Sequence, residues 1–247
     1  MSNSGPILAM RDLQFCYEGH TAPVLQGVTL SIAPGERVGL VGCNGVGKST
    51  LLKLLVGILS MQQGTLEVSG LAMQRENLAS IRRKVGYIFQ DSDSQLFMPT
   101  VAADVAFAAQ NYGYPPEEVA ARTRRALQQV HIEDCADRPV YRLSGGQKKL
   151  ASIAGILTLD PALILMDEPS AALDPKNRRN LIEILRGLPC AMLIASHDLD
   201  FIYDTCTRVV LLHEGRVAAD GPSERILQDG DLLARCDLEL PLRFQRG

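Results

Sequence analysis

Hydrophobic and polar positions follow two alternating patterns along the chain. Short apolar runs rich in β-branched residues predict β-strands. These runs cover residues 7–17, 24–32, 37–42, 64–70, 84–90, 162–169, 191–198 and 208–221. Turn residues separate the first two runs, so we expect an antiparallel lobe at the start of the fold. Runs 162–169 and 191–198 lack polar alternation, as is typical of strands in a parallel sheet that is covered on both faces.

Helical periodicity appears between these runs. Leu51, Leu54, Leu55 and Ile58 recur at helical spacing and predict a helix that begins near residue 48. From about residue 99 to residue 160 the composition changes to an Ala-, Arg- and Glu-rich helical pattern. We therefore expect an α/β fold into which a helical lobe is inserted.

A glycine-rich loop connects the strand at 37–42 to the helix after residue 48. Residues 42–49 satisfy G-x-x-x-x-G-K-[ST], and the strand before and helix after are the context that this motif requires. In such a loop, backbone N–H groups turn towards phosphate oxygens, Lys48 reaches the β- and γ-phosphates and Ser49 coordinates Mg²⁺. The candidate phosphate-binding residues are Gly42, Asn44, Gly45, Gly47, Lys48, Ser49 and Thr50.

Polar side chains at the ends of other predicted strands suggest hydrolysis. Asp167 follows a buried apolar run and would hold Mg²⁺ through water, while Glu168 would polarise the attacking water. His197 stands where a γ-phosphate sensor would lie. The Gln90 amide could meet Mg²⁺ or the water. Tyr17 could stack on a nucleotide base or simply pack in the core.

A second glycine turn lies far from the first. Ser144 precedes Gly145, Gly146 and Gln147 and is a good helix N-cap, and the two glycines allow close backbone approach to an anion. Lys148 and Lys149 follow, and they would either steady this helix or lie solvated on its face.

These motifs, taken in order, closely resemble the ATPase subunits of ABC transporters. The matching stretches are Tyr17, 42–50, Gln90, 143–147, 163–168, 171–174 and His197. The resemblance spans about residue 7 to residue 228. It implies a P-loop NTPase fold with a RecA-like core, an antiparallel β lobe and an inserted α-helical lobe. The whole chain, 1–247, would be one such domain, with the helical lobe at about 99–160 and a short tail at about 229–247 whose role stays open.

The resemblance also implies how the second glycine turn works. In that family, the signature (here Ser144, Gly145, Gly146 and Gln147) binds the γ-phosphate of an ATP held by the opposite subunit. The working unit would be a head-to-tail pair, either two copies of this chain or this chain with a paralogue, with ATP and Mg²⁺ between them. Asp174 belongs to the loop that would let each site sense the other.

The segment after Gln90 narrows the resemblance. Residues 90–107 and the signature helix look like the energy-coupling-factor ATPases of cobalt and nickel importers. The implied partners are a transmembrane T component and a substrate-binding membrane subunit, with the chain peripheral on the cytoplasmic side of the cell membrane. Asp91, Asp93 and Asp104 would pair with arginines of the T component, or form a merely solvated acidic loop.

Composition limits the alternatives. The net charge of −3 disfavours a nucleic-acid partner, because phosphate-dominated binding needs clustered Lys and Arg. The six cysteines are scattered without C-x-x-C pairs, and His20, His131 and His213 lack ligand spacing to one another. No run approaches the roughly 18 apolar residues of a membrane span, and residues 1–10 do not have the pattern of a signal peptide.

Two other functions compete with cobalt or nickel import. A biotin-type vitamin importer would use a similar ATPase, because substrate choice lies in a membrane subunit. A soluble ABC ATPase acting on nucleic acid or the ribosome generally carries a coiled-coil insertion or a second cassette, and neither appears here. A regulatory GTPase is disfavoured because no N-K-x-D stretch is present.

Overall fold

The structure is a computed structural model that describes residues 5–245. Its elements alternate along the chain in the expected α/β order. The β-strands are β1 (Leu8–Phe15), β2 (Leu25–Ile32), β3 (Arg37–Val41), β4 (Gln63–Val68), β5 (Leu71–Ala72), β6 (Val85–Ile88), β7 (Leu163–Asp167), β8 (Ala191–Ala195), β9 (Arg208–His213) and β10 (Arg216–Pro222). The α-helices are α1 (Lys48–Leu55), α2 (Leu78–Lys84), α3 (Val101–Asn111), α4 (Pro116–Gln129), α5 (Gly145–Leu157), α6 (Pro175–Gly187), α7 (Leu199–Thr205), α8 (Ser223–Leu227) and α9 (Gly230–Arg235).

The strands form two sheets. One has the order β2-β1-β4-β5 and is antiparallel, which confirms the expected opening lobe. The other has the order β10-β9-β3-β8-β7-β6, in which only the β10–β9 pair is antiparallel. Helices α1 and α6 follow the carboxyl ends of β3 and β7. Because these strands are parallel, their carboxyl ends lie at the same edge of the sheet.

The parallel sheet is buried on both faces, as its continuous apolar strands predicted. In β7, Leu163 and Leu165 pack with α1 and the antiparallel sheet. Ile164 and Met166 point the other way, into a cluster built with α5, α6 and α7. This two-sided burial explains why the strand shows no polar alternation.

Helices α3, α4 and α5 form the helical lobe expected at about 99–160. The Thr100 hydroxyl caps α3 by accepting a hydrogen bond from the Ala103 N–H. Pro116 occupies the first turn of α4, where its missing N–H costs nothing. A small separate cluster of Ala106, Ala109 and Val119 joins α3 to α4.

One predicted helix is shorter than the periodicity suggested. Helix α1 ends at Leu55, and Gly57 adopts a left-handed φ of 66° that terminates the helical path. Ile58 is 53% exposed and does not join the buried stripe of Leu51, Leu54 and Leu55. The spacing of Ile58 was therefore coincidental.

The C-terminal tail packs back on its own chain over residues 229–245. The Arg243 side chain donates to Asp200 and Asp204 of α7, and the rings of Tyr203 and Phe244 lie 5.2 Å apart. The described residues do not include residues 1–4, which belong to the segment considered as a signal peptide, or residues 246–247 of the tail.

Candidate functional site

The glycine loop runs from the end of β3 to the start of α1. Gly47 has a φ of 110°, and a Cβ there would lie 2.8 Å from the Leu25 side chain. At Gly42, with a φ of 153°, a Cβ would lie 2.5 Å from the Leu212 carbonyl oxygen. Both positions therefore require glycine. No side chain caps α1, so the N–H groups of its first turn stay available to an anion.

Lys48 is buried beneath this loop. Its Nζ donates to the carbonyl oxygens of Gly42 at 2.7 Å and Cys43 at 3.2 Å. Burial lowers the pKa of Lys48, and the nearby Glu168 carboxylate opposes that shift. These contacts hold a cation at the concave side of the loop, where phosphate charge would be stabilised.

A cavity of about 450 Å³ opens in front of α1. It gathers most of the candidate site residues, although they are spread from the first strand to β8. Its lining consists of Tyr17, Val24, Asn44, Gly45, Gly47, Lys48, Ser49, Thr50, Gln90, Asp167, Glu168 and His197. Gly42 shapes the loop from behind the cavity and does not line it.

Asp167 ends strand β7 and is buried. Burial chiefly raises the pKa of its carboxyl, while a hydrogen bond from Ser49 opposes the shift. The Tyr87 hydroxyl also bonds to Asp167, and burial followed by this carboxylate raises the pKa of Tyr87. Two side chains from neighbouring elements therefore orient the carboxylate towards the cavity.

Glu168 is clamped by the loop after β8. One carboxylate oxygen, Oε2, accepts from the Ser196 hydroxyl at 2.9 Å and lies 2.9 Å from His197 Nδ1. The other, Oε1, accepts from the His197 backbone N–H at 3.0 Å. Glu168 has a left-handed φ of 47°, a conformation uncommon for a residue with a side chain. Glutamate and histidine thus form one hydrogen-bonded unit at the cavity wall.

Tyr17 lies at the rim of the cavity and also packs against the core. It lines the cavity, and its hydroxyl lies 2.9 Å from the Thr50 hydroxyl. Its ring also meets Phe15 edge to face, with centroids 4.9 Å apart, beside the hydrophobic core. The ring is therefore held in place by core packing at the rim of the cavity.

The second glycine turn does not line this cavity. Ser144 and Gln147 form a capping box at the start of α5: the Ser144 hydroxyl accepts from the Gln147 N–H, and the Gln147 amide oxygen accepts from the Ser144 N–H. A Cβ at Gly145 would meet nothing within 4 Å, whereas one at Gly146 would strike Asn177. Within residues 5–245, nothing covers the surface at Gly145.

Asp174 also lies away from the cavity. Its carboxylate caps α6 by accepting from the backbone N–H groups of Lys176 and Asn177, both at 2.9 Å. The Asn177 side chain donates to the same carboxylate and packs on Gly146. Asp174 is therefore placed next to the signature turn and contacts no group of its own chain's cavity.

The acidic residues after Gln90 require a correction. Asp104 is only 8% exposed, and its Oδ2 accepts from the backbone N–H groups of Phe97 and Met98 at 2.8 and 2.7 Å. It neither faces a partner nor lies solvated. Asp91 caps the turn that follows it, and Asp93 pairs with Lys148 while staying exposed.

Three neighbours of the site were not foreseen from the sequence. Ser196 holds Glu168, Tyr87 holds Asp167, and Lys149 donates to the carbonyl of Gln90. Ser196 directly precedes His197, which is the one sequence signal that could have found it. Nothing in the sequence marks the other two, because their partners come from distant segments.

The donor set suits Mg²⁺ better than a transition metal. The Ser49 hydroxyl, the Gln90 amide and the Asp167 carboxylate line one cavity and offer the oxygen ligands that Mg²⁺ prefers. Within residues 5–245 no group of three His, Cys, Asp or Glu side chains could hold a metal by itself. Such a site fits an ion that also takes oxygens from phosphates.

Comparisons with known proteins agree with this geometry. A family model described as "ABC transporter" matches residues 25–171. The "Putative ABC transporter ATP-binding protein GSU1281" of Geobacter sulfurreducens is 46% identical over 97% of this chain and 96% of its own length. The "Energy-coupling factor transporter ATP-binding protein EcfA2" of Methanospirillum hungatei is 38% identical, covering 97% of this chain and 61% of that protein.

A solved structure has the same fold. CbiO1 from Clostridium perfringens, described as part of the ABC transporter complex cbiONQ, superposes with a TM-score of 0.85 at 34% identity. The match covers 93% of this chain and 94% of the other. The expected fold class, a P-loop NTPase of the ABC ATPase type, is confirmed. This chain therefore belongs to the ABC transporter family, as one of its ATP-binding, ATP-hydrolysing subunits.

Proposed function

We propose that the 450 Å³ cavity binds ATP with Mg²⁺ and that the groups around it carry out hydrolysis. The supporting observation is that Lys48, Ser49, Asp167, Glu168 and His197 meet at one cavity in front of α1. The α1 N-terminus and Lys48 would hold the phosphates. Ser49, Gln90 and Asp167 would hold Mg²⁺, which supplies charge neutralisation between the β- and γ-phosphates.

Glu168 is the proposed base that orients the attacking water. Its carboxylate is held by Ser196 and His197, so it cannot swing away from the cavity wall. His197 lies 2.9 Å from Glu168 and also faces the cavity, where it would sense the γ-phosphate. Positioned general bases typically contribute about 10²- to 10⁴-fold to a rate.

A second ATPase subunit would complete the site. The signature turn at Ser144–Gln147 does not line its own chain's cavity, and its open surface at Gly145 suits close approach by another molecule. An α-helix N-terminus with exposed backbone N–H groups favours anions. We therefore propose a head-to-tail pair in which each signature contacts the γ-phosphate of the ATP that the other chain binds.

The transport system proposed is an energy-coupling-factor importer for cobalt or nickel. The relatives named EcfA2 and CbiO1 support it, together with the motif of residues 90–107. A bacterial Atm1-family ABC exporter also superposes, with a TM-score of 0.78 at 27% identity over 93% of this chain and 42% of the other. The fold alone therefore does not decide the direction of transport, and the sequence motif carries that choice.

The membrane partners would bind the helical lobe. Phe97 is 64% exposed and meets Phe107 edge to face, with centroids 4.8 Å apart. An apolar groove of about 660 Å³ runs between α3 and α4 on the same lobe. We propose that a T component docks a helix on this surface, with a substrate-binding membrane subunit beside it. The chain would then be peripheral, on the cytoplasmic side of the cell membrane.

No helix among residues 5–245 is both long and apolar enough to cross a bilayer. A vitamin importer of the same class is the second candidate, because the choice of cargo would lie in a membrane subunit. A soluble ABC ATPase acting on nucleic acid or the ribosome is third, and the net charge of −3 disfavours it.

Accumulation of labelled cargo tests this proposal. Cells carrying the whole transport system would receive ⁵⁷Co²⁺, ⁶³Ni²⁺ or labelled biotin, with either wild-type chain or Glu168→Gln. We expect accumulation of one metal to depend on Glu168. If only the accumulation of biotin depended on Glu168, the vitamin importer would be the better assignment. Uptake of every cargo independent of Glu168 would reject import of all three.

A further inference from the structure

Lys149 is a buried charged residue that the proposed ATP chemistry does not use. It lies in the second turn of α5, and its side chain is only 3% exposed. Its Nζ donates to the carbonyl oxygens of Phe89 and Gln90, both at 2.9 Å. The helix that begins with the signature is thus bonded directly to the loop that presents Gln90 to the cavity.

An apolar residue would be the ordinary choice at this position. Lysine is almost never buried unless it is paired, because its charge loses hydration. No carboxylate forms an ion pair with Lys149 within the described residues; Asp91 and Asp167 act only as nearby charges. Burial lowers the pKa of Lys149 to about 8. Two carbonyl dipoles of the Gln90 loop are therefore its direct partners.

Other side chains also hold the loop around Gln90 in place. Lys148, the preceding residue of α5, pairs with Asp93 on the exposed side. The Gln95 side chain accepts from the Phe89 N–H at 3.2 Å and donates to the Tyr87 carbonyl at 3.3 Å. The loop is consequently folded into a compact unit, and the two lysines join that unit to α5.

Helix α5 would therefore touch both ATP sites. Its N-terminus, at Ser144 and Gly145, would face the nucleotide of the partner, and Lys149 holds the Gln90 loop of its own nucleotide site. We propose that Lys149 is a positioning residue that links occupancy of the chain's own ATP site to placement of its signature on the partner's ATP. The inference rests on the proposed two-subunit arrangement.

Steady-state ATP hydrolysis as a function of ATP concentration tests this link. The variants are Lys149→Met, which removes the donor at similar length, and Lys149→Arg, which keeps the charge and donors. Lys84→Met is the matched control, since Lys84 is exposed at the end of α2. We expect wild type and Lys84→Met to show a Hill coefficient approaching the limit of about 2 for two coupled sites.

Lys149→Met should lower the Hill coefficient to about 1, because the two sites would no longer be coupled. Binding of fluorescent ATP to the same variant should stay within about twofold of wild type, because Lys149 does not line the cavity. Lys149→Arg should recover most of the cooperativity. A residue with a merely structural role would alter thermal unfolding without this selective loss.

The possible outcomes distinguish failure of the Lys149 link from failure of the two-subunit arrangement. Cooperative hydrolysis by folded Lys149→Met, equal to wild type, would overturn the link while leaving the dimer intact. If Lys149→Met does not fold, Lys149→Gln, which also removes the charge, takes its place, and cooperative hydrolysis by folded Lys149→Gln equal to wild type would overturn the link. Failure of Glu168→Gln to pair in the presence of ATP, either with a second copy or with a paralogous ATPase subunit, would reject the proposed two-subunit arrangement, and this inference with it.

Discussion

Two helices of this chain begin at glycine turns, and their N-termini differ in what surrounds them. The first turn of α1 has no side-chain cap, and it faces a cavity walled by Asp167 and Glu168. The first turn of α5 is capped by Ser144, and none of the described residues covers the surface at Gly145. One helix N-terminus is thus enclosed by its own chain and the other is open.

In the proposed pair, this difference would divide one phosphate site between two chains. The enclosed end holds Lys48, Asp167, Glu168 and His197, the groups that the proposed hydrolysis uses. The open end presents a helix N-terminus with Ser144, two glycines and Gln147, a set suited to stabilising negative charge. Substitutions at the enclosed end should abolish hydrolysis of the ATP bound by the same chain. Substitutions at the open end should instead impair the site that binds the partner's ATP.

The largest expected effect is at Glu168. Glu168→Gln keeps the shape but cannot accept a proton, so ATP hydrolysis should fall by about 10²- to 10⁴-fold while ATP binding persists. Phosphate release under single-turnover conditions measures this. Glu183→Gln, on the exposed face of α6, is the control and should hydrolyse normally. A Glu168→Gln rate within threefold of wild type would exclude Glu168 as the base.

The open end is tested in a covalently linked tandem pair with Glu168→Gln in both halves. Ser144→Arg in one half and Lys48→Ala in the other should leave one complete composite site. Both changes in the same half should damage both sites. The nucleotide retained per pair after gel filtration should differ by roughly 10²-fold, in line with the loss of an oxyanion-type donor set. Greater retention by the same-half pair would contradict the division of the site.

Lys48 at the enclosed end should govern affinity. Lys48→Ala removes a charge-assisted contact to phosphate worth about 1.5–3 kcal/mol, so the Kd for fluorescent ATP should rise about 10- to 100-fold. Equilibrium fluorescence titration measures the change, with Lys84→Ala as the exposed control. Equal Kd values for the two variants would show that Lys48 does not contact the nucleotide.

The buried Lys149 predicts a pH dependence of stability. Its pKa is about 8 in the folded chain against the ordinary 10.5, so the unfolded chain binds the proton more tightly. The free energy of unfolding should therefore rise with pH between about 8 and 10.5 for wild type relative to Lys149→Met. The difference should amount to about 1–3 kcal/mol. Urea unfolding at pH 8 and pH 10 checks this, and parallel pH profiles would show that Lys149 titrates normally.

The smallest effect concerns the loop after Gln90. Asp104→Ala leaves the N–H groups of Phe97 and Met98 without their acceptor, at a cost of about 1–2 kcal/mol in the free energy of unfolding. Asp93→Ala breaks only an exposed pair and should cost less than about 0.5 kcal/mol. Equal costs in urea unfolding would mean that burial of Asp104 does not matter.

The enclosed end was predictable because its signals are local. The spacing of Gly42, Gly47 and Lys48 follows from what a loop needs in order to bind phosphate, and the buried strand before Asp167 marks a sheet edge. The antiparallel lobe, the parallel sheet and the helical lobe also followed from hydrophobic pattern. Ile58 was misassigned, because spacing alone does not show that Gly57 leaves the helical conformation.

The contacts around the Gln90 loop were not predictable from the sequence. Lys149 and Phe89 are 60 positions apart, so their hydrogen bond depends on how the helical lobe packs against β6. Asp104 was expected to pair with an arginine of a T component because residues 90–107 resemble those of energy-coupling-factor ATPases. The folded chain instead uses it to satisfy two backbone N–H groups, a need that appears only once the loop's path is known.

Light scattering on the Glu168→Gln chain tests the divided site most directly. The chain has a mass of 26.9 kDa. With Mg²⁺ and ATP, we predict that its mass in solution doubles, and that ADP, or Ser144→Arg in the same background, keeps it at the single-chain value. A chain that binds ATP at saturation and stays at 26.9 kDa, both alone and mixed with a paralogous ATPase subunit, would contradict the account.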